Sequence, residues 1–265
     1  MKAAPLSIVS ALCTLACIAS QAQTTELNTT TTSGEYARYS VYYNWHFIWL
    51  NAAEVFFSTT KQNIGQQPTY KLQATGRTLG GYDHFYYVCD TFISVTDTLT
   101  LQPLSFYQSC YEGSRITRNT YNYDAENNRI GGTEYIKEGR TLKSNKPISL
   151  TWDGLSFDVM TMVYKARNIN FAQYNVDDKI PIRMIINSEV FKLYIRYMGK
   201  EIITTKHGDT FHCLKFSPLL VEGTIFSGGE AMTVWVTDDD KRVPVVVEAK
   251  ILIGSVKAIL AEYNR

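Results

Sequence analysis

The segment from Tyr39 to Leu50 alternates between apolar and more polar side chains. Its odd-numbered positions are apolar and mostly aromatic, whereas its even-numbered positions stay more polar until the segment ends. A period of two over this length is typical of a β-strand with one buried face. The pattern predicts a first strand whose inward face consists of Tyr39, Val41, Tyr43, Trp45, Phe47 and Trp49.

Further short runs with strand character recur roughly every ten residues along the chain. Turn signals rich in glycine, asparagine and aspartate separate them. This spacing predicts an antiparallel meander. The predicted strands are Ala53–Thr60, Tyr70–Thr78, Phe85–Thr96, Leu104–Tyr111, Arg115–Tyr123, Arg129–Lys137, Lys179–Ile186, Val190–Met198, Lys200–Thr205, Thr210–Phe216, Glu230–Thr237, Val243–Ile253 and Val256–Tyr263.

One helical stripe interrupts the strands. Asp153 is the expected N-cap, Asn168 can end the helix, and Lys165 suits the negative end of the helix dipole. The apolar side chains that share the stripe are Leu155, Val159, Met162, Val163 and Ala166.

These elements together predict the fold class. We expect a mainly β protein with an antiparallel curved sheet or open β-barrel and one covering α-helix. The β domain would comprise residues 36–265, as two lobes (36–150 and 170–265) joined by a helix at residues 153–168.

The first residues have the pattern of a secretory signal peptide. Lys2 is followed by an uncharged, apolar or small stretch from Leu6 to Ile18, and small side chains precede position 23. We expect residues 1–22 to be removed on export to the periplasm or the outer-membrane periphery, and residues 23–35 to form a flexible tether. Lipid attachment at Cys17 is the alternative, although position 14 is threonine where such cysteines usually have leucine upstream.

The number and placement of charged residues argue against nucleic acid as a partner and against a membrane-spanning helix. Lys2 is the only charged residue among residues 1–22, so the remaining chain has 25 basic and 25 acidic side chains and no basic run. Nucleic acid is therefore not an expected partner. No transmembrane helix is expected either, because charged residues and a proline interrupt the most apolar segment, Val243–Leu260.

Three cysteines follow the signal peptide. If a hairpin turn lies at Thr98–Leu101, antiparallel partners have numbers that sum to about 199, and Cys89 faces Cys110. A disulfide between them is the favoured interpretation, and two buried free thiols are the alternative. Cys213 is expected to be a buried structural thiol.

No motif in the chain identifies a reaction or a cofactor. The histidines show no metal-ligand spacing, although His207 and His212 could approach each other across a turn with Asp209. The acidic run Asp238–Asp240 fits a charged hairpin turn rather than a calcium loop. Nucleophile-elbow, phosphate-loop and dinucleotide motifs are absent. An envelope hydrolase remains an alternative; it requires some of His46, His84, Asp209 and the Asp238 cluster to converge in one cleft.

The chain is rich in aromatic residues, with 18 Tyr, 12 Phe and 4 Trp. Aromatic rings fill a barrel core well, and they also line pockets for hydrophobic or lipid-like ligands. We expect a non-catalytic role in binding such a ligand; a module that binds an envelope protein partner is the alternative. The residues expected to line the pocket are Trp45, Phe47, Trp49, Trp152 and Trp235.

Short motifs in a fixed order give the chain a family resemblance. The segments that carry it are Gly34-Glu35-Tyr36, Asp90-Thr91-Phe92-Ile93-Ser94, Leu101-Gln102-Pro103, Tyr111-Glu112-Gly113, Leu155-Ser156-Phe157, Val234-Trp235-Val236-Thr237-Asp238-Asp239, Arg242-Val243-Pro244-Val245 and Ile253-Gly254-Ser255-Val256. The chain resembles the bacterial exported-protein family called domain of unknown function 3108. The resemblance implies a mainly β fold similar to the open barrel of periplasmic lipoprotein carriers, and it implies no catalytic residues.

Overall fold

The computed structural model describes residues 27–45, 48–81, 87–206, 208–221, 228–250 and 254–264, with the backbone alone at Trp45 and Ile48. Strands dominate the described residues, and a helix α1 (Val159–Ala166) and a short 3-10 helix (Phe171–Gln173) accompany them. The strands are β1 (Tyr36–Trp45), β2 (Ile48–Ile64), β3 (Gln67–Thr78), β4 (Val88–Asp97), β5 (Pro103–Glu112), β6 (Arg115–Asp124), β7 (Arg129–Glu138), β8 (Thr141–Thr151), β9 (Ser156–Asp158), β10 (Lys179–Ile186), β11 (Glu189–Thr204), β12 (Thr210–Pro218), β13 (Met232–Thr237), β14 (Pro244–Lys250) and β15 (Ser255–Asn264).

All the strands belong to one sheet built from two meanders. Strands β1 to β8 pair in chain order, as do β9 to β15, and pairing between β1 and β15 joins the two series. Neighbours are antiparallel except for β9 and β10. Strands β8 and β9 are the two edges. The predicted antiparallel meander is therefore confirmed.

The short link between the two edges explains why the sheet curls. Residues 152–155 connect β8 to β9, and such a link spans at most about 18 Å. A flat sheet of this many strands would be about 65 Å wide, because neighbouring strands lie about 4.8 Å apart. The sheet must therefore bend until its edges approach each other. Since β8 and β9 do not pair, the result is an open barrel, as predicted.

Register shifts supply part of the curvature. They occur between Arg38 and Tyr39, Val41 and Tyr42, Val95 and Thr96, and at further positions in the second meander. A β-bulge adds one residue to one strand, bends that strand and increases its twist. Bulges placed across many strands let a wide sheet close around its own core.

The directions of the strands define the two ends of the barrel. Because β1 to β8 alternate in direction, β2, β4, β6 and β8 all begin at one end, which we call the far rim. We call the opposite end the helix end. There the Lys165 ammonium in α1 donates to the carbonyl oxygen of Thr100, in the connection from β4 to β5, over 2.9 Å.

Two large core clusters meet at α1. The first contains buried side chains from β3, β5, β6, β7 and β8, and the second contains buried side chains from β10 to β13. Met160 and Tyr164 of α1 belong to the first cluster, and Met162 belongs to the second. The helix thus covers part of the concave face, as predicted, and fills space between the two halves of the sheet.

The helix begins later than predicted. Its N-cap is Asp158, whose side chain accepts a hydrogen bond from the amide of Thr161. The predicted cap, Asp153, instead accepts from the Leu155 amide and from Arg183. Residues 156–158 pair with β10 as β9, and this pairing delays the start of the helix.

The predicted first strand is in fact a hairpin. Trp45 pairs with Ile48, so the chain reverses between β1 and β2. No glycine, proline, asparagine or aspartate marks this reversal in the sequence. Conversely, the reversal predicted at Gly199 does not occur: β11 runs through this residue, which has a φ of 90° beside a register shift. This glycine therefore belongs to a β-bulge and not to a turn between two strands.

The edge strand β8 has no counterpart among the predicted strands. Most of its side chains are exposed, and it contains Pro147. Proline is tolerated on an edge strand, where its missing amide hydrogen costs no ladder bond. The exposed, lysine-containing sequence lacks the apolar alternation on which the prediction depended.

The part of the predicted flexible tether that the structure describes is packed against the fold. Thr30, Thr31 and Glu35 are buried. The Asn168 side-chain oxygen accepts from the amide of Thr29 over 2.7 Å. Low apolar content suggested mobility, but hydrogen bonds and an ion pair fix this segment to the end of α1. Residues 1–26, including the predicted signal peptide and Cys17, lie outside the described residues.

Candidate ligand-binding face

Asp158 fixes α1 to the concave face of the sheet. Its carboxylate accepts from the Ser94 hydroxyl over 2.6 Å, from the Tyr123 hydroxyl over 3.1 Å, and from the amide and hydroxyl of Thr161. Burial raises the pKa of Asp158, although these hydrogen bonds act in the opposite direction. Because every bond joins Asp158 to the helix or the sheet, this carboxylate is a structural anchor.

Trp152 is part of the core beside this anchor. It is 5% exposed, and its ring packs edge-on against Tyr123 with the centroids 5.2 Å apart. Its indole nitrogen donates to the carbonyl oxygen of Ser156 over 2.9 Å. Trp152 therefore closes the helix end and is enclosed by protein on all sides.

The other predicted pocket residues lie elsewhere. Trp49 is 42% exposed, at the far rim, and the Lys257 ammonium lies 5.1 Å from its ring centroid. Trp235 belongs to a third, smaller cluster and donates to Glu201 over 3.1 Å. The structure does not bring Trp49, Trp152 and Trp235 together. The side chain of Trp45 and all of Phe47 lie outside the described residues.

The cysteine register differs from the predicted one by a single residue. Thr96 pairs with Pro103, as predicted near the turn, but a bulge follows, and Cys89 then pairs with Tyr111. Asp90 faces Cys110 instead, so the two sulfurs point to opposite faces of the sheet. Both thiols are free. The predicted pairing of Cys89 with Cys110 is wrong, because one bulged residue reverses which face each side chain occupies.

A row of polar side chains lies on the concave face of β4, β5 and β6, between the core and the far rim. Asp90 faces Cys110, and Gln108 faces Asn119, so the row crosses all three strands. On the same strands, Phe92, Phe106 and Tyr121 share this face toward the helix end. The inner face therefore changes from apolar to polar along its length.

Hydrogen bonds connect the members of this row. The Asn119 amide group donates to the Gln108 side-chain oxygen over 3.5 Å, and Gln108 donates to the Cys110 sulfur over 3.3 Å. The Tyr111 amide donates to the Asp90 carboxylate over 3.2 Å. Asn119 is 1% exposed, and its side-chain oxygen has no partner.

The surroundings shift two ionisation equilibria within the row. Burial, and next the charge of Glu112, raise the pKa of Asp90 to about 6. Burial, and next the charge of Asp90, raise the pKa of the Cys110 thiol to about 12. Cys110 is thus a protonated thiol at neutral pH, which is not the state of a nucleophile.

A second buried carboxylate on the concave face closes the sheet upon itself. Glu134 accepts from the Ser144 hydroxyl over 2.6 Å and from the Ser188 hydroxyl over 2.9 Å. Burial raises the pKa of Glu134, but these bonds and nearby Lys146 outweigh burial and hold it below its usual value. Ser188 lies in the turn from β10 to β11, so Glu134 holds this hairpin against β7.

The polar residues that a hydrolase would need do not converge among the described residues. Asp209 lies in the connection from β11 to β12, and Asp238 follows β13 and pairs with Lys200 over 2.6 Å. Asp239 accepts from the amides of Lys241 and Arg242, as a turn residue does. His46, His84 and His207 lie outside the described residues.

Two further properties concern the described residues only. No three His, Cys, Asp or Glu side chains in this part of the chain are arranged to hold a metal ion. Its helices also lack the length and the apolar run that crossing a bilayer would need.

A small cavity lies between β11, β12 and the end of β13. Its volume is about 130 Å³, and its lining residues are Lys200, Glu201, Ile202, His212, Cys213 and Asp238. An apolar cavity of about 150 Å³ holds a molecule the size of benzene. This space is therefore too small for a lipid chain.

The curved sheet with its enclosed helix places the protein among β-barrel-like folds. A crystal structure of a β-barrel-like protein of the domain-of-unknown-function family DUF1849 from Brucella abortus is similar, with a TM-score of 0.54 and 7% identity. The match covers 89% of this chain and 98% of that one, and at this identity it shows the fold alone. The family model for proteins of unknown function DUF3108 matches residues 38–261, so the chain belongs to that family. No curated protein matches the sequence.

Proposed function

We propose that this protein is an exported, non-catalytic component of the cell envelope that holds a hydrophobic or lipid-like ligand against the concave face of its sheet. The observation that carries the proposal is the asymmetry of the barrel. At the helix end, α1 and the packed residues 27–35 cover the interior. Toward the far rim, the inner face instead carries the polar row and half-buried apolar side chains.

Large apolar side chains are exposed at both ends of the barrel, so the proposal depends on the inner face and not on the rims. Trp49, Tyr87 and Leu142 are 42%, 44% and 54% exposed, and they lie at the starts of β2, β4 and β8. At the helix end, Ile64 and Leu99 are 50% and 67% exposed. The ladder registers place Trp49 and Leu142 on the convex side of the sheet.

The inner face below the far rim remains partly accessible. Phe92 on β4 and Ile136 on β7 are half-buried and point to the concave side. An alkyl chain that covered them would remove apolar surface from water, at about 25 cal/mol per Å². The predicted pocket of tryptophans is thus replaced by a smaller apolar strip beside the polar row.

The proposal is tested by titrating purified protein with a fluorescent fatty acid. We expect saturable binding, and we expect Phe92→Ser to weaken it at least about fivefold by removing apolar contact. Ile93→Ser is the matched control, because Ile93 is the next residue of β4 and faces the opposite side. Absence of saturable binding by the wild-type protein contradicts ligand binding, and equal losses in both variants contradict the assigned face.

Export is tested separately. The pattern of residues 1–22 supports cleavage after Ala22, so N-terminal sequencing of protein from the periplasmic fraction should begin at Gln23. Full-length protein confined to the cytoplasmic fraction contradicts this part of the proposal. A mature chain that begins with lipid-modified Cys17 would support the membrane-anchored alternative.

A further inference from the structure

A row of apolar side chains is buried on the convex face of the sheet, on the side opposite α1. Trp235 of β13 lies between Val234 and Val236, whose side chains belong to the second core cluster, so Trp235 points to the convex side. Val246 of β14 faces Trp235, and Ile259 of β15 faces Val246. Val246 and Ile259 are nevertheless only 9% and 6% exposed, so another part of the chain covers them.

The far part of the β11–β12 hairpin provides this cover. We call residues 200–206 and 208–213 of the hairpin the arm. Ile203 and Phe211 of the arm pack against the third core cluster, which contains the buried members of the row and Tyr42 of β1. The arm thus supplies apolar side chains to a small core that is separate from the two clusters around α1.

The arm crosses the sheet and does not extend it. The Lys206 ammonium lies 3.3 Å from the centroid of the Tyr42 ring. In the sheet, however, β13, β14 and β15 separate β12 from β1. At the usual spacing of neighbouring strands, four steps amount to about 19 Å. The arm therefore lies across the convex faces of these three strands.

The joint between the arm and the barrel is narrow. Four residue pairs connect β12 to β13, and this ladder ends at Cys213. In the described part of the chain, residues 210–212 pair with β11 and not with β13, although the Asp238 amide donates to the His212 carbonyl oxygen over 2.8 Å. Gly199 lies in the bulge of β11 directly before the arm, with a φ of 90°. The cavity of about 130 Å³ lies at the same joint, so the packing there is incomplete.

Partly exposed polar contacts fix the base of the arm. Glu201 accepts from the Lys215 ammonium over 2.8 Å and from the Trp235 indole nitrogen over 3.1 Å. The Lys200 ammonium lies 2.6 Å from the Asp238 carboxylate. Ion pairs with this exposure contribute little to stability. Burial of the apolar row is therefore the main interaction that holds the arm down.

We infer that the arm is a lid that opens as a unit about Gly199 while the barrel stays folded. Parts of a protein with few buried contacts open at a lower free-energy cost than the whole fold. Opening uncovers a strip of apolar side chains on the convex face, formed by Tyr42, Trp235, Val246 and Ile259. This strip lies on the opposite side of the sheet from the face in the proposed function, so the two inferences stand or fall separately.

Two buried free thiols make the lid testable in the native chain. Cys213 lies at the base of the arm and is 1% exposed, and Cys110 lies in the barrel on β5 and is 5% exposed. Burial, and next the charge of Glu201, raise the pKa of the Cys213 thiol to about 11, so that, like Cys110, it is unreactive while covered.

The full-length wild-type protein is treated with N-ethylmaleimide, and peptide mass spectrometry gives the reaction rate at each thiol. We expect Cys213 to react at least about tenfold faster than Cys110, because its exposure requires opening of the arm alone. Equal rates, or a slower reaction at Cys213, overturn the lid, since both thiols would then react only after global unfolding.

The urea dependence of the two rates gives a second readout, because its slope scales with the surface that opening exposes. We expect the Cys213 rate to rise with urea, with a slope well below that of Cys110. A slope of zero would mean that the reagent reaches Cys213 without uncovering the strip. A slope equal to that of Cys110 would mean that the whole chain unfolds. Either result overturns the lid.

Ile203→Ala and Ile202→Ala are matched variants within the arm. Ile203 packs against the third core cluster, whereas the adjacent Ile202 is 62% exposed. We expect Ile203→Ala to raise the ratio of the Cys213 rate to the Cys110 rate at least about fivefold, because the arm loses apolar contact. Ile202→Ala should leave this ratio within about twofold of wild type.

Equal changes in the two variants, or an Ile203→Ala effect that is the same at both thiols, would show that the arm unfolds only with the barrel. If Ile203→Ala fails to fold by circular dichroism, the wild-type rates and their urea slopes still decide the inference.

Discussion

The Glu35 carboxylate lies 2.6 Å from the Arg167 guanidinium, and the two side chains are 6% and 4% exposed. This ion pair joins the segment before β1 to the residue that ends α1. Arg167 also donates to the carbonyl oxygen of Lys241, so three distant parts of the chain meet at the helix end. The pair is therefore central to how α1 is held inside the sheet.

Removing one member of this pair should be costly. Glu35→Gln leaves the Arg167 charge buried without compensation, and we expect the free energy of unfolding to fall by about 3–5 kcal/mol. Glu138→Gln is the control, since its partner Lys143 and Glu138 itself are about half exposed, and its loss should be about 0–1 kcal/mol. Urea denaturation measures both. Similar losses in the two variants would show that the buried pair has no special role.

Two neighbouring glycines in β7 should respond differently to the same substitution. A Cβ on Gly132 would overlap the backbone carbonyl of Thr120, whereas a Cβ on Gly131 would meet nothing. We expect Gly132→Ala to lower the free energy of unfolding by about 1–3 kcal/mol. Gly131→Ala should leave it unchanged or raise it by up to about 1 kcal/mol, because the unfolded chain loses freedom. Thermal and urea denaturation check the pair; equal effects would contradict the β6–β7 register.

Substituting two of the described tryptophans should distinguish a ring that supports the fold from one that lies on the surface. Trp152→Ala removes a buried ring from the first core cluster and should cost about 3–5 kcal/mol of stability. Trp49→Ala, at the far rim, should change stability by no more than about 0.5 kcal/mol. The same variants are then titrated with the fluorescent fatty acid. A large stability loss for Trp49→Ala would mean that its ring supports the fold and is not free to contact a ligand.

Asp90 should make the protein less stable as the pH rises through the weakly acidic range. Burial raises its pKa from the ordinary 3.8 to about 6, so between these values the native state binds more protons than the unfolded state. The stabilisation that Asp90 contributes is therefore fully present below about pH 4 and is lost as the pH rises to about 6. Relative to wild type, Asp90→Asn should gain stability as the pH is raised from 4 to 7.

Asp124→Asn is the control for this pH series. Hydrogen bonds from Asn127 lower the pKa of Asp124, so its contribution has the opposite sign and is lost as the pH falls. Denaturant midpoints at several pH values give both comparisons. An Asp90→Asn difference that stays constant from pH 4 to 7 would show that the carboxylate is solvated like an ordinary aspartate.

The strand pattern could be predicted from sequence where one face of a strand is buried. The predicted Lys179–Ile186 coincides with β10, and Arg115–Tyr123 ends one residue before β6 does. In both, alternation between core and solvent fixes the periodicity. The exposed edge strand β8 and the unmarked reversal after Trp45 lack that signal. Pairing with a neighbouring strand determines both, and such pairing is a long-range property.

The arrangement of the candidate site is also difficult to predict from sequence periodicity. Asp90, Gln108 and Asn119 are polar residues in phase with Phe92, Phe106 and Tyr121, and this is the signal that places them on the inner face. Their adjacency depends on the registers of two ladders. The β4–β5 register in turn depends on one bulge, which also separates Cys89 from Cys110. A single inserted residue is invisible to periodicity, although it decides which side chains meet.

Native mass spectrometry of the protein, expressed from its full sequence and purified without detergent, tests the central proposal most directly. We expect a population heavier than the bare chain by the mass of an apolar or amphipathic molecule, which organic extraction releases. Phe92→Ser should carry less of it than Ile93→Ser. A spectrum of the bare chain alone in every preparation would contradict the view that the concave face holds a ligand.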